Sequence, residues 1–198
     1  MMKINEYNLQ GIRYADVEAA FDLGIEALTK KGYHLISLEE SANLRIQGGA
    51  STLSHENYTK EAFLFIPKKG IFLTPVSPII PNAKEATRLW SEKSGRYYLT
   101  SNQVEESLLG AICLSEESIR IPTNRFGDES IPKFMFGNLA EKYGDFLKEN
   151  KIDSIYINMF HFFGCETKPS AGQVYFTKDE INHEINLSNY NNKVVGIK

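Results

Sequence analysis

The sequence predicts one α+β domain, in which about five helices and a mixed sheet alternate along the chain. Its 198 residues match the usual size of a single domain. Three boxes of helix-capping type, at 37–40, 82–85 and 100–103, each precede a segment with a helical pattern. Two apolar runs, 62–66 and 70–74, flank a Pro-Lys-Lys-Gly turn, which is typical of a hairpin. Because both runs are apolar on both faces, we expect this hairpin to be buried.

The first quarter of the chain predicts two helices. We expect the first over residues 16–31, followed by a left-handed stop at Gly32 and a short strand over 33–36. The first capping box then opens a helix over about 38–47, and residues 48–61 form a polar loop. The apolar positions of the first helix recur at helical spacing: Val17, Phe21, Ile25 and Leu28.

The middle of the chain continues the alternation. The second box predicts a helix that ends near Lys93, and residues 97–99 form a short strand. The third box opens a helix whose apolar face extends to Ile112. Alternating polarity at 118–121 indicates a strand, and a polar loop at 122–130 follows.

The last third contains one ambiguous segment. Residues 131–137 fit either the start of a long helix at Pro132 or, as we favour, a strand over 133–136. Beyond it the pattern predicts a helix from 138 to about 150. A long aromatic strand over 153–163 and a strand over 173–176 are expected next. A short helix capped by 177–180 then precedes a terminal strand in the tail.

Composition limits the classes of function. The net charge is −3 and the pI about 5.9, so the charge does not indicate a nucleic-acid partner. No apolar run approaches the ~18 residues of a spanning helix, so we expect no membrane partner. The two cysteines, Cys113 and Cys165, are far apart and form no disulfide framework, which favours a reducing, cytoplasmic location. Homo-oligomerisation stays open.

Two polar loops are candidate binding sites. The loop at 122–130 offers Asn124, Arg125 and Asp128, and a guanidinium is suited to gripping a carboxylate or phosphate. The alternative is an ordinary turn, since Asn, Gly and Asp are common turn residues. The loop at 48–61 offers His55 and Glu56, and a loop of that length is either functional or mobile.

A third candidate is the triplet Glu166-Thr167-Lys168, preceded by Asp153. This pattern resembles the PD-(D/E)xK nucleases. The resemblance implies that Asp153 and Glu166 bind Mg²⁺ and that Lys168 positions or activates a water. The alternative interpretation is the end of a strand followed by a turn, since Pro169 comes next.

The spacing of the potential metal ligands does not predict a metal site. The zinc-type side chains are Cys113, His161, Cys165 and His183, but the paired short spacings of structural zinc sites are absent. We therefore expect a non-catalytic intracellular binding or regulatory domain without a cofactor. The alternative is a Mg²⁺-dependent nuclease that uses the triplet described above.

Overall fold

The computed structural model describes residues 2–93, 96–114, 118–159, 167–184, 187–188 and 193–198. Six α-helices lie within these ranges: α1 Phe21–Lys30, α2 Leu38–Gly48, α3 Ala83–Lys93, α4 Ser101–Leu108, α5 Ser130–Phe136 and α6 Ala140–Glu149. Twelve strands accompany them: β1 Ile4–Leu9, β2 Ile12–Glu18, β3 His34–Leu35, β4 Asn57–Ile66, β5 Gly70–Thr74, β6 Tyr97–Tyr98, β7 Ile112–Leu114, β8 Ser118–Pro122, β9 Ser154–Asn158, β10 Ser170–Phe176, β11 Glu180–Glu184 and β12 Lys193–Ile197.

All twelve strands belong to one sheet. Its main path runs β1-β2-β12-β4-β10-β11-β9-β8, while β3, β5, β6 and β7 pair beside this path. The sheet is mixed, because β12 runs parallel to β4 and β11 runs parallel to β9, whereas the other pairs are antiparallel. This arrangement confirms the predicted α+β class. No helix in the described part of the chain is long and apolar enough to cross a bilayer.

The two faces of the sheet each carry an apolar core. On one face, α2, α5 and α6 cover an aromatic group: Phe126, Phe136, Tyr143 and Phe176. On the other face, α1 and α3 cover a second group that includes Phe21, Tyr58 and Leu64. Strand β4 serves both cores, since Phe63 faces the first and Leu64 the second.

Two of the predicted capping boxes are present in full. At the start of α2, the Glu40 N–H donates to Ser37 Oγ at 3.0 Å, and the Ser37 N–H donates to Glu40 Oε2 at 2.8 Å. Thr100 and Gln103 make the same reciprocal pair at the start of α4. The buried hairpin is also confirmed, because β4 and β5 pair through Phe63 and Leu73, both fully buried.

The prediction for the N-terminal segment was wrong at its start. Residues 12–18 form β2, and the helix begins only at Phe21. Val17 has the spacing of the helical stripe but lies in a strand, where it pairs with Val194 of β12. A tertiary partner 177 residues away therefore outweighs local periodicity at this position.

Two other assignments were wrong in type. Residues 130–136 form a helix rather than the favoured strand, with Pro132, Met135 and Phe136 buried at helical spacing. Pro132 fits there because the first turn of a helix has no partner for its N–H. Residues 180–184 form β11 rather than a helix, since the chain turns back at Thr177 and pairs with β10.

Three boundaries also moved. The polar loop is shorter than 48–61, because β4 already begins at Asn57. Helix α4 ends at Leu108, and Ile112 belongs to β7. The long aromatic strand is confirmed over Ser154–Asn158, whereas residues 160–163 lie outside the described residues.

Candidate functional site

The N-terminal hairpin supplies one wall of the candidate site. Gln10 and Gly11 have φ angles of 49° and 90°, which makes a two-residue turn of the type that matches strand twist. Because side chains alternate along each strand, Tyr7 lies beside Tyr14 on the face of the hairpin that is turned towards α2. Asp16 lies on the same face, opposite Asn5.

The loop after α2, residues 49–56, supplies the opposite wall. Leu53 packs against the same buried cluster as Leu9, Ile12 and Tyr14 of the hairpin, which places the loop beside the hairpin. Asn57 fixes the loop from its other end, since its Nδ2 donates to the Leu53 carbonyl at 3.1 Å and also to the His55 carbonyl. The loop is therefore held in place by contacts with the rest of the chain.

A pocket of about 290 Å³ lies between these two walls, and we call it the hairpin pocket. Its floor includes Asn57 and Lys193, the first residues of β4 and β12, which lie opposite each other in the sheet. The loop lines it with two hydroxyls and an imidazole, and the hairpin with two phenols and a carboxylate. These six residues are Ser51, Thr52, His55, Tyr7, Tyr14 and Asp16.

Asp16 organises the polar side of the hairpin pocket. Although it is only 6% exposed, its carboxylate accepts from Asn5 Nδ2 at 2.8 Å and from the Tyr7 hydroxyl at 3.2 Å. Lys193 Nζ lies 3.2 Å from the same carboxylate and completes an ion pair. The charge of Asp16 is thus neutralised within the pocket, and Tyr7 and Lys193 are held in fixed positions.

The two tyrosines form a stacked pair. Their ring centroids are 4.8 Å apart and their planes differ by 18°. Burial raises the pKa of Tyr7, and the adjacent Asp16 carboxylate raises it further. Both effects favour the neutral phenol, so Tyr7 stays a hydrogen-bond donor to Asp16. Tyr7 remains 41% exposed, which leaves part of its ring accessible to a ligand.

Asn57 leaves one hydrogen-bonding atom unused. The residue is 2% exposed, and its Oδ1 is buried without a hydrogen-bond partner among the described residues. An acceptor that is withdrawn from water and unpaired costs about 1–3 kcal/mol. Asn57 also lines the hairpin pocket, so this unpaired acceptor lies next to it.

Only part of the predicted binding set lies at this pocket. His55 lines it, whereas Glu56 is exposed and contributes its carbonyl to the N–H of Lys193 at 3.0 Å. Asn124, Arg125 and Asp128 are exposed around a 3₁₀ turn and do not line the hairpin pocket. The Arg125 Nε pairs with Glu129 Oε1 at 3.0 Å. The two polar loops therefore do not meet at the hairpin pocket.

Two residues of the nuclease resemblance, Asp153 and Lys168, are described, and the structure does not bring them together. Asp153 directly precedes β9 and Lys168 lies just before β10. Since β9 runs antiparallel to β10, the two residues lie near opposite ends of the sheet, separated by roughly the 20 Å length of a strand such as β10. Glu166 lies outside the described residues, so a Mg²⁺ site that includes it stays a prediction.

Metal-ligand side chains do not cluster in the part of the chain that the structure describes. No group of three His, Cys, Asp or Glu residues there is arranged to hold an ion. Cys113 is an exposed free thiol on β7. His161 and Cys165 lie outside the described residues, and so does the side chain of His183.

Sequence reasoning missed most of the hairpin pocket, because it did not find β1 and β2. A signal was available: residues 4–9 and 12–17 are short runs with β-like alternation, separated by the dipeptide Gln10-Gly11. No local signal connects Asp16 with Lys193, since the two residues are 177 positions apart.

Comparison with known proteins identifies a similar fold. No model of a known family matches the chain, and no curated protein sequence is significantly similar to it. One solved structure is similar over 100% of this chain and 98% of its own, with a TM-score of 0.59 and 16% identity. It is described as "Accommodation of massive sequence variation in Nanoarchaeota by the C-type lectin fold". At this identity the likeness shows a shared C-type lectin-like fold and nothing about a ligand.

Proposed function

We propose that this chain is a non-catalytic binding domain that holds a small, neutral, polar ligand in the hairpin pocket. The observation that carries the proposal is the unpaired Oδ1 of Asn57, a buried acceptor on a residue that lines the pocket. A bound ligand supplies the donor that this oxygen lacks. The proposal keeps the expected cytoplasmic location, which rests on the two separated cysteines.

The pocket selects the chemistry of the ligand. Asn57 requires a donor, and Lys193 Nζ has further N–H groups to give beyond the one directed at Asp16, so the ligand also carries an acceptor. A neutral ligand fits best, because the charges of Asp16 and Lys193 already cancel. The volume of about 290 Å³ is at the small end of ligand sites, which favours a molecule no larger than a nucleoside.

Several features support binding rather than catalysis. The pocket is built on a strand hairpin and on an anchored loop, which is how rigid scaffolds present binding residues. Its acidic group is already bonded to three donors and is not positioned as a free base. The solved neighbour is described as a fold that accommodates sequence variation, a property that suits a binding scaffold.

Amide-proton NMR of the labelled protein tests the proposal with three neutral probes: a monosaccharide, a nucleoside and a primary amide. Inorganic phosphate and acetate serve as charged controls. We expect at least one neutral probe to shift the amides of Thr52, His55 and Asn57 in a saturable manner.

The variant Lys193→Met removes the donor at the pocket, and Lys69→Met, in the exposed β4–β5 turn, is its matched control. The affinity for the probe, obtained from the shift titration, is expected to fall about tenfold in Lys193→Met and to stay unchanged in Lys69→Met. Shifts that map outside the pocket, or a response to the charged probes alone, would contradict the proposal.

A further inference from the structure

The outer edge of β1 has no partner in the described part of the chain. Strand β1 is the first strand of the sheet and pairs only with β2. An unpaired edge is a template for another strand, and proteins cover such edges or use them. The edge belongs to a strand of six residues, long enough for a regular ladder.

The hairpin register identifies which backbone groups point outwards. In a hairpin with a two-residue turn, the residues flanking the turn, here Leu9 and Ile12, exchange both hydrogen bonds, and the pairs then alternate. The pairs Tyr7–Tyr14 and Asn5–Asp16 are therefore bonded to each other. Consequently Ile4, Glu6 and Asn8 direct their N–H and C=O groups to the open edge.

An apolar pocket lies beside this edge. It has a volume of about 440 Å³ and lies between Met2 and Ile4 at the start of β1 and one stripe of α1. Two large apolar side chains are exposed there, Met2 at 40% and Leu23 at 39%. Helix α1 turns its other face, with Phe21 and Leu28, into the core. The stripe of α1 that lines this pocket therefore takes no part in the packing of the core.

The charges on this stripe are self-complementary. Glu26 forms an ion pair with Lys30, one turn later on α1, and Lys31 follows. A two-fold axis perpendicular to the sheet reverses the direction of α1 in the second copy. The Glu26–Lys30 pairs of the two copies then run in opposite directions, and the two exposed apolar stripes lie on the same face of the joined sheet.

We infer that this chain forms a two-fold homodimer in which β1 pairs antiparallel with β1 of a second copy and the α1 stripes flank the joint on one face of the sheet. One register satisfies both the backbone and the charges. Asn5 faces Asn5 of the second copy, so that Ile4 bonds to Glu6 twice across the axis. A shift by one bonding pair would place Glu6 opposite Glu6, where two like charges repel.

The dimer has a consequence for ligand binding that rests on the proposed function, although the dimer itself does not. Tyr7 belongs to the hairpin pocket and lies on the strand at the joint. The two hairpin pockets then open on the same face of the joined sheet, close to the axis. A ligand that repeats along a polymer or surface would engage both at once and gain avidity.

Sedimentation equilibrium of the full chain over a range of concentrations tests the dimer. The variant Glu6→Pro removes an outward N–H that β2 does not use. Glu6→Ala keeps this N–H but also loses the carboxylate that accepts from the Tyr33 hydroxyl at 3.1 Å, so it is the control for that contact. Leu23→Glu places a charge in each stripe, and Leu109→Glu, at a leucine that is 76% exposed on the far end of α4, is its matched control.

We expect a dimer in the wild type and in Leu109→Glu. In Glu6→Pro and Leu23→Glu, the affinity of the two copies for each other should fall by about tenfold or more. Glu26→Lys should also dissociate the dimer at low salt, and the double exchange Glu26→Lys/Lys30→Glu should restore it. A monomer at every concentration overturns the inference. So does a dimer that Glu6→Pro and Leu23→Glu leave unchanged, because its interface then lies elsewhere.

Discussion

The guanidinium of Arg45 donates to the hydroxyl of Tyr143 at 2.6 Å, joining α2 to α6 beneath the turn between β10 and β11. Arg45 is fully buried, and it also donates to the carbonyls of Thr177 at 3.1 Å and Lys178 at 2.8 Å. Its charge lies over the Phe176 ring at 5.1 Å. A single side chain therefore donates hydrogen bonds to the carbonyls of the turn and connects the turn to two helices.

Replacing Arg45 with Met is expected to destabilise the domain by about 3 kcal/mol, because the buried Tyr143 hydroxyl and the carbonyls of Thr177 and Lys178 lose their donor. Urea unfolding measures this free energy. The matched control is Arg88→Met, at an arginine whose side chain is 49% exposed and pairs with Glu92. The control should change stability by less than about 1 kcal/mol. Equal effects of the two variants would show that Arg45 is not a structural tie.

Glu61 makes the stability of the domain depend on pH. Glu61 is 5% exposed, and burial raises the pKa of its carboxyl group to about 7 from an ordinary value of 4.5, although the Leu38 N–H donates to it at 3.2 Å. Between these two values the folded state binds more protons than the unfolded state. The contribution is therefore complete below pH 4.5 and is lost as the pH rises through 7, a change of about 3 kcal/mol.

Glu61→Gln removes this titration and keeps an acceptor for the Leu38 N–H. The free energy of unfolding, measured in urea at pH 5 and at pH 8, is expected to fall less with rising pH in Glu61→Gln than in the wild type. Glu39→Gln, in the first turn of α2 at an exposed position, is the control and should keep the wild-type dependence. If the wild type and Glu61→Gln lose the same free energy between the two pH values, this assignment of the pH dependence is wrong.

Gly144 allows α6 to approach the 122–130 loop. A Cβ at this position would collide with the carbonyl oxygen of Thr123 and lie 2.9 Å from Phe126 Cβ. Gly144→Ala is therefore expected to destabilise the domain by about 1–3 kcal/mol and to displace the loop. Lys142→Ala, at an exposed position on the same helix, is the control. Thermal unfolding compares them, and a Gly144→Ala variant as stable as the control would contradict this close approach.

Local chemistry explains which elements of the fold the sequence predicts. The boxes at Ser37 and Thr100 act within four residues, so the sequence alone contains everything that decides them. Thr177 shows the limit of this reasoning. Its Oγ1 accepts the Glu180 N–H at 3.1 Å, as a helix cap does, yet the chain continues as β11 because β10 is available as a partner. The same local bond serves a helix start and a hairpin turn.

The candidate site depended on such distant partners almost entirely. His55 was found because a long polar loop is unusual, and this signal is local. Asp16 was hidden in a segment interpreted as helix, and Lys193 had no distinguishing neighbour. Their pairing exists only because β12 lies between β2 and β4, an order that no pattern within a single segment encodes.

Asp16 is expected to hold the hairpin pocket together, because three donors meet at its carboxylate. Asp16→Asn keeps the size of the side chain but leaves the Lys193 ammonium, whose side chain is 18% exposed, without a counter-charge. We expect a loss of about 2–3 kcal/mol, measured by urea unfolding. Lys193→Met in the Asp16→Asn background removes the unpaired charge and should recover part of the loss. A double variant as unstable as the sum of the two single variants would show that the two groups do not interact.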